Sequence, residues 1–135
     1  MEKELIEILK LWQRKADNDL KSIANELSCD DPVTDVICFH AQQATEKFLK
    51  LFLISKNLDP IKTHNIGVLL YKCIEIDESF KSLSSIEYLS DYAVELRYPD
   101  SFYIPELEEA KEAYEDALKV RTFVIEKYSE LNEKE

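Results

Sequence analysis

Residues 39–50 read FHAQQATEKFLK, inside a segment bounded by Pro32 and Pro60. The segment predicts a helix over about 32–57, and how that helix is read decides the fold. Val36, Ile37, Ala41, Ala44, Thr45, Phe48, Leu51 and Phe52 cover more than half of its circumference. A helix apolar over so wide an arc belongs in the middle of a bundle. Yet at ~100° per residue His40, Gln43 and Lys47 fall on one line, with Val36, Leu51 and Ile54 sharing their arc. A polar stripe embedded in a central helix needs partners.

The segments on either side are helical as well. Upstream, Leu5, Leu9, Trp12, Ala16, Leu20, Ile23 and Leu27 recur at three and four over residues 3–28. Asp19 sits in the middle of that seam. An uncompensated carboxylate or ammonium there costs several kcal/mol. Two consecutive helices with opposite charges on their apolar faces therefore predict that Asp19 meets Lys47 or His40 across the interface. Taken alone, each residue has a plainer reading. His40 is a core histidine satisfied by a hydroxyl or carbonyl, Lys47 a snorkelling side chain, and Asp19 a pair that fixes register.

Between the two helices, Asp31 is placed to cap the second, with Pro32 at its first position. Downstream, Asp59-Pro60 ends it. A short helix over about 64–76 follows, facing inward through Ile66, Leu69, Leu70, Cys73 and Ile74. Ser84 and Glu87 then read as a capping box for a helix over about 84–97, with Ile86, Leu89, Tyr92, Ala93 and Leu96 inward. Pro105 opens a last helix to about residue 130, with Glu106, Glu108 and Glu109 at its dipole-favoured start. Its seam runs Leu107, Ala110, Tyr114, Ala117, Val120 or Arg121, Val124 and Tyr128. The expected fold is all-α: an up-and-down antiparallel bundle of about five helices, four long and one short. One domain over 1–130 with a frayed polar tail at 131–135 is expected.

Composition agrees and narrows the function. A chain of 135 residues with one glycine and four prolines is poor in the turns that strand-rich folds need. Its formal charge of −11 repels nucleic acid at long range and argues against a general DNA-coating function. Within that acidic chain Lys47, Lys50, Lys56 and Lys62 face only Glu46 and Asp59, and His64 follows, which makes a local basic surface. Cys29, Cys38 and Cys73 have no metal or disulfide spacing, so reduced thiols and a cytoplasmic setting are expected. No Gly-rich phosphate loop, HExxH pair or run of membrane-span length occurs, so no metal, cofactor or membrane is expected.

Taken in order, FHAQQATEKFLK (39–50), THNIGVLL (63–70) and LRYP (96–99) resemble the HEPN domains, the higher eukaryotes and prokaryotes nucleotide-binding family. Trp12 and ADNDL (16–20) fit the first helix of that family, and the resemblance spans about 5–128. It implies an all-α, commonly homodimeric prokaryotic protein. Such proteins are often encoded beside a minimal nucleotidyltransferase in toxin–antitoxin or defence systems. Many members are RNA endonucleases with an Arg-x(4–6)-His motif at the dimer interface. Others bind nucleotides or RNA without cleaving them. Arg97 stands at the motif arginine, but where its histidine is due the chain has Phe102, Tyr103 and Ile104. Proton transfer near pH 7 is histidine chemistry, so the reading leans away from catalysis. It leaves Arg97 and Tyr103 as the weak catalytic candidates. It favours a binding module in which Arg97, Lys47, Lys50 and His64 contact phosphate and Tyr103 stacks. The alternatives are a ribonuclease with a substituted proton-transfer residue, and a purely structural oligomeric bundle. Asp19, His40, Gln43 and Lys47 form the expected buried polar network.

Overall fold

The computed structural model describes residues 2–93 and 103–133, with side chains as far as residue 128. Among them are four α-helices, α1 (Lys3–Leu27), α2 (Thr34–Ser55), α3 (Ile66–Ile76) and α4 (Leu107–Glu133). A 3₁₀ helix, Glu78–Tyr92, lies between α3 and α4, and no strand occurs among the described residues. The fold is the all-α helical bundle expected from the sequence.

Helix α2 is the axis. Ile37, Cys38, Ala41, Ala44, Phe48, Leu49 and Leu51 are fully buried. α1, α3, α4 and the 3₁₀ helix all pack on α2. Successive long elements alternate in direction. The start of α1 (Leu5, Ile8) lies beside the end of α2 (Ile54, Leu58). Phe80, at the start of the 3₁₀ helix, stacks between Phe52 and Phe123. Tyr92, at its end, reaches Glu109 in the first turn of α4. α2 and α4 therefore run the same way as direct neighbours, and the Thr34 hydroxyl, donating to the Pro105 carbonyl at 2.6 Å, ties their starts together.

Several boundaries differ from those expected, each for a local reason. Asp31 does not cap α2. Val33 is the capping residue, in extended backbone with no side-chain cap, and its N–H goes to Glu26 Oε2 at 3.0 Å. Pro32 thus precedes the helix. α2 ends at Ser55, well before Pro60: Leu58 N–H reaches the Leu53 carbonyl and Asn57 N–H that of Ile54, with Asn57 at φ 61°. This is a Schellman stop, with asparagine in the left-handed position usually given to glycine. α3 starts at Ile66, because Asn65 accepts the Val68 N–H at 3.1 Å.

The largest difference is the fourth element. Ser84 is not a cap; its hydroxyl donates to the Lys81 carbonyl inside a 3₁₀ helix already under way. Asp77 is the cap, accepting from Ser79 N–H at 3.0 Å. Phe80, Leu83, Ile86 and Leu89 are buried at intervals of three, with Tyr92 next in the series. Three residues per turn is the 3₁₀ repeat, so this spacing gives a single inward line only on the tighter helix. The remaining part of the expected 84–97 helix, with Leu96 and Arg97, lies outside the described residues. Val36 and Leu107, expected inward, are 39% and 38% exposed and mark the edges of their seams.

Candidate functional site

Two polar clusters among the described residues are built on α2, and each consists of a buried carboxylate between a lysine and a histidine. In the first, Asp19 of α1 accepts from Lys47 Nζ at 2.6 Å through Oδ2 and meets His40 Nδ1 at 2.8 Å through Oδ1. The carboxylate is buried, whereas the Lys47 and His40 side chains are 23% and 29% exposed. Both side chains are therefore partly accessible to solvent at the edge of the α1–α2 interface. Both partners named from the sequence are engaged at once.

Gln43, third on the polar line, does not join Asp19. Its Nε2 donates to Gln42 Oε1 at 2.6 Å, and that contact leads into the second cluster. There Glu46 takes three donors: Lys50 Nζ at 2.9 Å on Oε2, and Gln42 Nε2 at 3.0 Å and His64 Nδ1 at 2.7 Å on Oε1. Gln42 also donates to the His64 backbone carbonyl at 3.2 Å, so α2 holds the entry to α3 by two contacts. Burial pushes the Glu46 carboxyl up, but the hydrogen bonds from His64, Lys50 and Gln42 and the charge of Lys50 outweigh it. The net pKa lies below the ordinary glutamate value. Glu46 is therefore an acceptor at neutral pH, and Nδ1 of His64 must carry the hydrogen. The other ring nitrogen, Nε2, is left for solvent on a side chain that is 69% exposed.

The sequence reading missed Gln42 and Glu46 as buried groups. The signal was there: Gln42, Glu46 and Lys50 recur every four residues, the spacing of facing helical neighbours. It also missed Asp17, which holds Arg121 of α4 at 2.7 Å from Nε, and so settles that Arg121 pairs with α1. That contact raises the Arg121 pKa through the Asp17 hydrogen bond. No buried side-chain nitrogen or oxygen among the described residues lacks a partner.

Tyr103 lies elsewhere. It is 62% exposed, and its hydroxyl donates to Glu109, which also accepts from Tyr92; Tyr88 donates to Asp116 one helical stretch further on. Glu109 and Asp116 are the acceptors of a tyrosine row along α4. The bond to Glu109 raises the Tyr103 pKa, while burial first and the carboxylates second hold Tyr92 and Tyr88 well above the usual phenol range. Burial also pushes the Cys38 and Cys73 thiols up to about 12, which makes them unreactive near neutral pH. Arg97 lies outside the described residues, so its place relative to either cluster is not part of the geometry. The open groove lined by Leu5, Trp12, Ile54 and Leu58 holds none of the candidate residues.

The arrangement brings Lys47, Lys50, His40, His64 and Gln43 onto one side of α2, with their charges balanced from beneath by Asp19 and Glu46. This segment and its loop are the stretches that carried the family resemblance. The HEPN domain family model matches residues 9–128. The chain belongs to the HEPN domain family. Neither the curated proteins nor the solved structures gave a match to it. In this HEPN domain the matched region spans all four α-helices, except the ends of α1 and α4, together with the 3₁₀ helix. Among its described residues no helix is long and apolar enough to cross a membrane, and no three metal-ligating side chains converge.

Proposed function

We propose that this HEPN domain is a non-catalytic module that binds RNA or a nucleotide. Lys47 and His64 contact phosphate, Lys50 supports His64 from its buried pairing with Glu46, and Arg97 and Tyr103 contribute from the segment before α4. The observation that carries this reading is the polar side of α2, where the His64, His40 and Lys47 side chains are 69%, 29% and 23% exposed while Asp19, Glu46 and Lys50 stay buried. On this reading the chain forms a homodimer and works with a minimal nucleotidyltransferase in a cytoplasmic toxin–antitoxin or defence system, as the family resemblance implies. The exposed Tyr103 and Ile104, beside the segment that holds Arg97, supply apolar surface for a second copy. The test is a fluorescence-anisotropy titration with short RNA and with nucleotides at several salt concentrations. Binding through phosphate weakens as salt rises. A salt-independent signal, or none, counts against the reading.

One observation favours a second reading, an endoribonuclease with a substituted proton-transfer residue. His64 is held at Nδ1 by a buried carboxylate and turns Nε2 outward, the arrangement of an oriented general base. Tyr103 fits that role less well, because its phenol is bonded to Glu109 and its pKa is raised. Incubation of a mixed RNA pool with the wild type, Arg97→Ala and His64→Gln decides it. Cleavage that disappears in both variants supports a nuclease; cleavage that persists in both comes from a contaminant.

A further inference from the structure

The two lysine–carboxylate–histidine clusters have an electrostatic property that the proposed phosphate contacts must obey. Lys47 is cancelled by Asp19 at 2.6 Å and Lys50 by Glu46 at 2.9 Å. With neutral imidazoles the strip carries no net charge, on a chain whose formal charge is −11. Other neighbours do not supply the missing positive charge. The 3₁₀ helix brings Glu87 towards α3, its carboxyl carbon 3.3 Å from where a Cβ on Gly67 would sit. Asp91 follows Ser90, whose hydroxyl accepts the Ile66 N–H at 2.6 Å. On the α1 side Asp17 is matched by Arg121 of α4. The loop itself holds two cations, Lys56, whose ammonium lies over the Phe52 ring, and Lys62, two residues before His64.

The histidines are the groups that can change this balance. Each already spends Nδ1 on a buried carboxylate, so protonation adds a hydrogen at Nε2 without breaking a bond. At His64, whose side chain is 69% exposed, it turns a solvent-facing acceptor into a charged donor, and at His40, 29% exposed, it adds the same charge nearer α1. Two such rings bring the strip from zero to two positive charges. Gln43 donates to Gln42, which is buried against Glu46, so the polar line of α2 runs on into the second cluster.

We infer that the α2 strip is a phosphodiester-binding site that is complete only when His64 and His40 are protonated, so that RNA is held more tightly as pH falls below neutral. This rests on the proposed RNA-binding reading and adds its regulation. Imidazole is the side chain that changes charge between pH 5 and 8. Each linked proton changes affinity by at most about tenfold per pH unit.

The test uses the full chain and a 5′-hydroxyl octauridylate, whose phosphodiester charge is constant over this range. Affinity is measured at constant ionic strength at pH 7.5 and pH 5.5 for the wild type, His64→Gln and the His40→Gln/His64→Gln double variant. The inference expects at least about tenfold tighter binding at the lower pH for the wild type. It expects a reduced response for the single variant and a flat one for the double. Equal wild-type affinity at both pH values, or an undiminished response in the double variant, overturns the inference and leaves the binding reading standing. No binding at either pH overturns both. Should the double variant fail to fold, the ring signals of His64 in the wild type answer the question by NMR. Saturating RNA must move the His64 titration to higher pH, and an unmoved titration overturns the inference.

Discussion

At the scale of single residues, α2 is held in register by charges that burial makes expensive to strand. Removing Asp19 leaves Lys47 and His40 without their acceptor at the interface between α1 and α2. Asp19→Ala is expected to cost about 2 kcal/mol, below the 3–5 typical of a fully buried pair, since both partners retain access to water. Lys47→Met should cost less, and the double variant should recover part of the loss. Urea unfolding of the four proteins in a double-mutant cycle reads this, with a coupling of about 1–2 kcal/mol expected. Additive losses would mean that the contact contributes nothing. Glu46 carries the corresponding pH dependence. Its folded pKa lies below the ordinary value, so its stabilisation is complete above about 4.3, the unfolded value, and is lost as pH falls through the folded one. Glu46→Gln should therefore lower stability at pH 7 and flatten the loss between about pH 4.3 and the acid limit of folding. An acid slope identical to the wild type would show that another carboxylate is responsible. The pairing of Asp19 was legible because its position broke a clean apolar seam. Glu46 was not, because it lay among lysines and read as their solvent-side counter-charge.

At the scale of elements, boundaries were set by hydrogen-bond partners of the backbone that the apolar pattern does not reveal. Pro32 and Asp31 carried the usual signal of a helix start, yet Glu26 had already taken the Val33 N–H, and the chain turned into α2 two residues later. The 3₁₀ helix was legible in principle, since Phe80, Leu83, Ile86, Leu89 and Tyr92 repeat strictly every third residue. Read over Ile86 to Leu96 alone, the same spacing merges into an α pattern, and Ser84 with Glu87 completes a plausible but false cap. This element has poorer hydrogen-bond geometry than an α-helix and holds on chiefly through that one apolar line. Its amides at 78–92 should exchange faster than those of 37–53 in α2, and by sub-global opening, in native-state hydrogen exchange. Equal protection would mean that the two elements unfold as one unit. The Schellman stop makes a second prediction. Asn57 sits at φ 61°, so Asn57→Gly should be neutral or stabilising by a few tenths of a kcal/mol, while Asn57→Val should cost about 1–2 kcal/mol. Thermal unfolding of both variants measures this, and a tolerated valine would argue against the left-handed conformation.

At the scale of the whole molecule, net charge makes the two proposed associations respond to salt in opposite directions. Two copies of a chain with formal charge −11 repel each other. Apolar contact through Tyr103 and Ile104 must overcome that repulsion, and added salt screens it, since the Debye length falls from about 10 Å at 0.1 M to about 3 Å at 1 M. The proposed homodimer should therefore tighten as salt rises from low to moderate concentration. RNA held by phosphate contacts loses the entropy gained by counterion release and must loosen over the same range. Sedimentation velocity of the free chain and anisotropy of labelled RNA, run in one salt series, test both together. Ile104→Asp places a charge on the exposed apolar surface and should abolish the dimer. It should leave the α2 contacts to RNA in place and weaken RNA binding only by what Tyr103 and Arg97, from the same segment, contribute. A dimer that weakens with salt would point to an interface made by charge pairs instead. Loss of RNA binding along with the dimer in Ile104→Asp would place the RNA site at the subunit boundary, near Arg97, and not on the polar side of α2.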